Sequence, residues 1–241
     1  MRMKRCFVFL VGILVATLGF GQQEYIGMKR VNFGIKAGFN SSMYRVSNFV
    51  IKDITIDEVQ NEYRVGYGAS LFSRFNINKH FIQLETSYNI SLCEIVFDKL
   101  GGLHPDIEPD YASINSRIHS IGFPVLYGYS IVKKKPYGMS VFGGPQLRYL
   151  WNKRNEITFD NFDQEGISEV LRPFNISLLA GVAVTISPIF FDFRYEQCLS
   201  NISKSVTYNS INTSNGYSEG ENKIFLPRRD HVLSFSLGIM F

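Results

Sequence analysis

Eight segments of the chain alternate apolar and polar side chains with a period of two, and the connections between them alternate strictly between short and long. The first property belongs to a β-strand with one dry face and one wet face. The second limits how such strands are joined. The segments fall near 31–45, 63–77, 80–97, 114–131, 138–151, 172–186, 189–203 and 230–241. The links 76–79, 132–137 and 187–188 are short, whereas 46–62, 98–113, 152–171 and 204–229 are long and polar. Val, Ile, Tyr and Phe fill the segments, Gly, Asn, Pro and Ser punctuate them, and no stretch between them reads as a long amphipathic helix. The chain therefore folds as consecutive antiparallel hairpins with every tight turn at one end and every long loop at the other.

Side-chain parity assigns the two faces. Phe33, Ile35, Ala37 and Phe39 oppose Gly34, Lys36, Gly38 and Asn40, and Tyr67, Ala69, Leu71 and Phe75 oppose Gly66, Gly68, Ser70 and Arg74. Ile82, Leu84, Tyr88 and Ile90 oppose Gln83, Glu85, Ser87 and Asn89. Late in the chain Ile176, Leu178, Ala180, Val182 and Val184 oppose Asn175, Ser177, Gly181 and Thr185. Phe191, Phe193 and Tyr195 oppose Asp192, Arg194 and Glu196, and Leu233, Phe235, Leu237, Ile239 and Phe241 oppose Ser234, Ser236 and Gly238. One continuous apolar band results, with the charges gathered on the other face.

The N-terminus sets the compartment. "MRMKR" is a basic start, "CFVFLVGILVATLGF" an apolar run of signal-peptide length, and Gly19 and Gly21 supply small residues before a cleavage point, so residues 1–21 read as a cleaved secretory signal and 22–241 as one domain. The run is shorter than the ~20 residues of a bilayer-spanning helix. Removing Arg2, Lys4 and Arg5 lowers the basic count from 25 to 22 against 21 acidic residues, which excludes a nucleic-acid-binding surface.

An exported chain with this pattern is expected to be all-β: a single eight-stranded antiparallel up-and-down transmembrane β-barrel, with short periplasmic turns, long extracellular loops and an apolar face against lipid. Tyr44, Tyr67, Tyr149, Trp151 and Tyr195 fall toward the long-loop end, and Phe33, Phe75, Phe81, Tyr127, Tyr129 and Phe241 toward the short-turn end, as aromatic girdles at two bilayer interfaces would. A secreted β-sandwich shares the alternation but needs no such girdles. The expected location is the outer membrane of a Gram-negative-type envelope, with lipid or lipopolysaccharide as surroundings. The terminal aromatic Phe241 resembles the signal read by the outer-membrane assembly machinery, a further expected partner.

"FGIKAGFNSS", "IGFPVLYGY", "FGGPQLRYLW", "LLAGVAVTISPIFFDFRYEQCLSNIS" and the final "LSFSLGIMF" together resemble the PorT-type outer-membrane β-barrel family across almost all of residues 22–241. The resemblance implies an outer-membrane barrel and, from the founding member, a part in protein secretion across that membrane, with secretion-system components as partners.

The interior of an eight-stranded barrel is just wide enough to be filled by side chains. Inward parity places Lys36, Arg74, Glu85, Arg148, Asp192, Arg194 and Glu196 there, and buried ions cost several kcal/mol each unless paired. A salt-bridged polar plug is expected, not an open channel. Glu85 and Glu196 are needed to neutralise arginines, which argues against an acid/base pair. Cys93 and Cys198 share inward parity, leaving open a disulfide across the lumen or two free thiols.

No cofactor, metal or catalytic site is expected. His80, His104 and His231 have no metal-ligand spacing, and His119 and Ser120, adjacent in a strand, face opposite sides. Arg117 and His119 near the outer rim suit interfacial anchoring, with contact to lipid phosphates as the alternative. The leading function is therefore a non-enzymatic barrel acting through its extracellular loops or as an accessory of secretion. A lipid-modifying barrel enzyme and a small structural or adhesion barrel of the OmpA/OmpX type are the alternatives.

Overall fold

The structure, a computed structural model, describes residues 30–46, 49–51, 54–56, 59–98, 110–134, 136–161, 165–209, 222–224 and 228–241. The expected signal at 1–21 and His104 lie outside the described residues. The strands are β1 Val31–Val46, β2 Phe49–Ile51, β3 Ile54–Ile56, β4 Val59–Tyr63, β5 Val65–Ile77, β6 His80–Asp98, β7 Tyr111–Lys134, β8 Tyr137–Leu150 and β9 Glu156–Asp160. There follow β10 Glu165–Leu171, β11 Phe174–Ile186, β12 Ile189–Cys198, β13 Ser203–Asn209, β14 Asn222–Ile224 and β15 Arg228–Met240.

Eight of these form a closed antiparallel ring in the order β1, β5, β6, β7, β8, β11, β12, β15, with β15 returning to β1 from Gly34↔Met240 to Val46↔Arg228. Closure leaves no lipid-exposed edge, which is what hydrocarbon requires of a sheet. The tight turns at 78–79 and 187–188, and the end at which β7 hands over to β8, lie at one end, the periplasmic end. Asn78, at φ 54°, takes the left-handed conformation that a two-residue hairpin turn demands.

The outer wall is the expected apolar face. Phe33, Phe39, Leu71, Phe123, Val125, Ile176, Leu178, Phe193 and Phe235 are all exposed to it. Val182 sits at mid-wall between Val141 and Phe193. Val182→Arg is expected to cost about 2–4 kcal/mol of folding stability in vesicles, the depth-dependent penalty of a charge near the bilayer midplane. Thr185→Arg, on the opposite parity, would instead strain the lumen, so only the outward variant should soften in thicker bilayers.

Two girdle assignments fail. Tyr44 and Phe81 are buried inside the barrel, not set in the interface. Both have inward parity, Tyr44 with Ser42 and Asn40, Phe81 with Gln83 and Glu85. Phe33, Phe75, Tyr127, Tyr129 and Phe241 are exposed at the periplasmic end, Tyr67 and Tyr195 at the other, where Tyr149 and Trp151 are half-buried on the outer wall.

Above the membrane the long connections are not plain loops. β4 pairs with the top of β6 and β9 with the top of β7, so β6 and β7 carry a four-stranded sheet beyond the ring. β10, β13 and β14 form a second small sheet, and β2 and β3 a hairpin. The segment 189–203 accordingly divides: the barrel strand stops at Cys198, and the chain resumes at Ser203 to pair with β10.

Candidate functional site

The lumen is built in layers. Nearest the periplasm, Phe72, Phe81 and Phe190 point inward, with Phe142 and Leu126 beside them. Inward glycines make the room: a Cβ on Gly34 would stand 2.3 Å from the Phe72 ring, on Gly128 2.1 Å from Phe81, and on Gly238 2.5 Å from Phe190. Arg74 lies over the Phe81 ring at 4.2 Å and donates from Nε to Gln83 at 2.9 Å.

The next layer is a four-membered ionic cluster. Lys36 Nζ lies 3.0 Å from Glu85 and 2.9 Å from Asp192, and Arg194 Nη2 lies 3.0 Å from Glu85 and 2.7 Å from Asp192. Both cations thus meet both carboxylates, and Gln83 Nε2 donates to Glu85 at 3.0 Å. A third layer holds Arg148, 2.8 Å from Asp230 and 3.5 Å from Glu196, while Ser177 donates to Glu196 at 2.7 Å. Between these layers a cavity of about 50 Å³ remains. Arg148 Nε and Nη2, Gln146 Nε2 and Asn40 Oδ1 have no partner among the described residues, and these three residues line the cavity. Its size and polar walls suit a few water molecules.

The upper lumen departs from the expected polar plug. Tyr44, Cys93, Ile95, Phe97, Ile114, Ile118, Leu150, Leu171, Cys198, Ile202 and Val206 make one buried apolar cluster, against which Ile157, Phe159 and Ile167 pack from the outward connection. Cys93 and Cys198 stand there as free thiols, so the bridge that shared parity left open is not formed. Inside this layer one ion pair is fully buried: Arg228 Nη2 lies 2.8 Å from Glu169, its Nη1 donates to Ser116 at 3.1 Å, and its guanidinium sits 4.5 Å over the Tyr44 ring.

All seven charges assigned to the lumen by parity are buried on it. The sequence reading missed Asp230 and Arg228, whose parity with Ser234 and Ser236 could have revealed them, and Glu169, which no periodicity marks. With these three the described lumen holds Lys36, Arg74, Arg148, Arg194 and Arg228 against Glu85, Glu169, Asp192, Glu196 and Asp230, and is neutral.

Outside the lumen each described histidine meets a tyrosine of the neighbouring strand. His119 Nδ1 lies 2.7 Å from the Tyr88 hydroxyl, His231 Nδ1 2.7 Å from Tyr195, and His80 Nδ1 2.6 Å from Tyr127. Ser120 is buried on the opposite face from His119.

Comparison with known proteins fits this architecture. The family model described as outer membrane protein beta-barrel domain matches residues 20–204. The chain belongs to the outer membrane protein beta-barrel domain family. As a member of that family it is an integral outer-membrane protein. Among solved structures it is similar to the outer membrane protein OprG from Pseudomonas aeruginosa, at 13% identity and TM-score 0.54 over 90% of this chain and 99% of that one. It is also similar to Neisserial surface protein A, at 12% identity and TM-score 0.39 over 87% and 97% of the two chains. The attachment invasion locus protein Ail of Yersinia pestis shows 9% identity and TM-score 0.40 over 88% and 100%. No curated protein matches the chain at a significant level. The first of these likenesses carries the fold: a ring of eight antiparallel strands.

Proposed function

We propose that this outer-membrane barrel is non-enzymatic and acts through its extracellular extension, as an accessory of protein secretion across the outer membrane. The observation that carries the reading is the way material is distributed along the barrel axis. The lumen is filled by aromatic, ionic and apolar layers, which leaves a translocation path no room. The extension, by contrast, is built as a platform: β4, β6, β7 and β9 form a sheet whose inner face packs on its own apolar cluster. A platform rigid enough to present loops is what a partner-binding role uses. The resemblance to the PorT-type family supplies the secretion context.

Deletion of the protein is expected to lower the amount of exported proteins in the culture medium, measured by quantitative mass spectrometry, with restoration by the full chain. An unchanged set of exported proteins would remove the secretion role. In planar bilayers the purified barrel is expected to give no steady ion conductance, because the ionic layer and the apolar layer each block the axis; stable channel openings would contradict the plug.

A further inference from the structure

We propose that two copies of this chain associate in the membrane through the wall seam between β6 and β7, each copy supplying hydrogen-bond donors that the other's wall lacks. The inference rests on the outer-membrane location of the barrel and not on the secretion role.

Two prolines make the seam. The pairing of β6 with β7 runs from His80↔Tyr129 to Leu84↔Val125, breaks, and resumes in the same register at Ser87↔Gly122. That register sets Pro124 opposite Glu85. Proline has no N–H, so the Glu85 carbonyl has no donor across the ladder. The pairing of β7 with β8 breaks in the same way between Pro124↔Gln146 and Tyr127↔Gly143, where Pro145 stands opposite Val125. The Val125 carbonyl oxygen turns toward β8, 2.1 Å from the place that a Cβ on Gly144 would take. Two neighbouring strands thus each carry a backbone acceptor without its ladder donor.

The seam lies at hydrocarbon depth. Thr86, next to Glu85, stands on β6 between the His80–Tyr127 pair at the periplasmic end and the Tyr88–His119 pair at the outer end. Water is absent there, and an unsatisfied backbone group costs several kcal/mol. A groove of about 450 Å³ opens over the seam, with Glu85 and Pro124 at its floor and Leu71, Leu84, Phe123 and Val125 along its sides. Ser73 and Thr86 also line it, and neither hydroxyl makes a hydrogen bond with the described residues. The Thr86 side chain points away from the wall, whereas carbonyls lie in the plane of the sheet. A hydroxyl of one wall is therefore placed to reach the seam of another.

Symmetry selects a second copy as the occupant. Two copies inserted with the same end outward are related by a two-fold axis along the membrane normal, so each residue meets residues at its own height. Thr86 and the Glu85 carbonyl are adjacent on β6 and meet that condition: the hydroxyl of each copy donates to the carbonyl of the other. Ser73 lies at the same level, paired with Leu84. A lipid acyl chain fills the apolar sides of the groove equally well but brings no donor.

The test uses the full-length protein reconstituted into phosphatidylcholine vesicles, with association read by energy transfer between differently labelled copies as lipid is added. Dimers that dissociate on dilution are expected. In a Cys93→Ala/Cys198→Ala background, Leu84→Cys should cross-link copies under a membrane-soluble oxidant, and Phe193→Cys on the far wall should not. Ser73→Ala/Thr86→Val is expected to weaken association about tenfold, the effect of two hydrogen bonds of the strength measured inside membranes. Pro124→Ala restores an N–H to the ladder and should weaken association as well. The heat-dependent gel mobility of each variant reports that the barrel is folded. Monomers at every lipid ratio would overturn the inference by leaving acyl chains as the cover of the groove. Cross-linking through Phe193→Cys in place of Leu84→Cys, or wild-type association of the folded Ser73→Ala/Thr86→Val variant, would overturn it too.

Discussion

Replacing Glu85 with alanine is expected to destabilise the folded barrel by about 3–5 kcal/mol, the cost of leaving buried charges without their partner. Glu85 is one of two carboxylates that share Lys36 and Arg194. Without it both cations fall to Asp192, the layer acquires a net positive charge, and Gln83 loses an acceptor. Bulk water does not reach the layer, because the aromatic layer seals the periplasmic side and the apolar layer the other, and the cavity beside the cluster has room for only a few water molecules. The measurement is reversible urea unfolding in lipid vesicles. The double replacement Lys36→Met/Glu85→Leu removes one charge of each sign and should recover most of the loss. A single variant as stable as the wild type would show that the cluster is not load-sharing as its geometry indicates.

A second large effect is expected at Arg228, and it should be local. Arg228→Ala leaves the Glu169 carboxylate, wholly shielded from solvent in the structure, without its cation and takes the charge from over the Tyr44 ring. The imbalance is again of the order of 3–5 kcal/mol. Glu169, however, belongs to β10 in the extracellular extension and has an escape that Glu85 lacks. It can leave the barrel mouth for water, carrying Ile167 and Leu171 out of the apolar cluster. The expected result is therefore new protease cleavage within β10, between residues 165 and 171, while the barrel itself keeps its folded gel mobility. Protection of that segment in the variant would show that Glu169 does not anchor it. In Arg228→Met/Glu169→Leu the segment should be protected again.

These two sites differ in how far the sequence revealed them. Lys36, Glu85, Asp192 and Arg194 share inward parity and were legible as lumen charges, but nothing local says that each cation would touch both carboxylates. Glu169 was hidden because it follows no strand period visible in the connection 152–171, which read as solvated loop. Phe81 shows the opposite error: its apolar ring was assigned to the interface, yet its parity is that of Gln83, and Phe72, Phe142 and Phe190 likewise share inward parity with Arg74, Ser140 and Asp192. The glycines facing them, Gly34, Gly128, Gly181 and Gly238, are the spaces that receive their rings.

What the sequence determined by itself is the number of barrel strands, their antiparallel connection, the end that bears the tight turns, and the face each outward residue presents to lipid. Those properties follow from the pleat, which alternates side chains residue by residue and needs no knowledge of the rest of the chain. Only the tertiary structure decided which inward residues meet. Lys36 and Asp192 are separated by most of the chain and come within hydrogen-bonding distance because the ring closes between β15 and β1 in one particular register. The same closure, together with the folding of β10 into the barrel mouth, turned an expected polar plug into alternating layers of rings, ions and apolar side chains, since a closed interior must be filled and made neutral by whatever the register brings together.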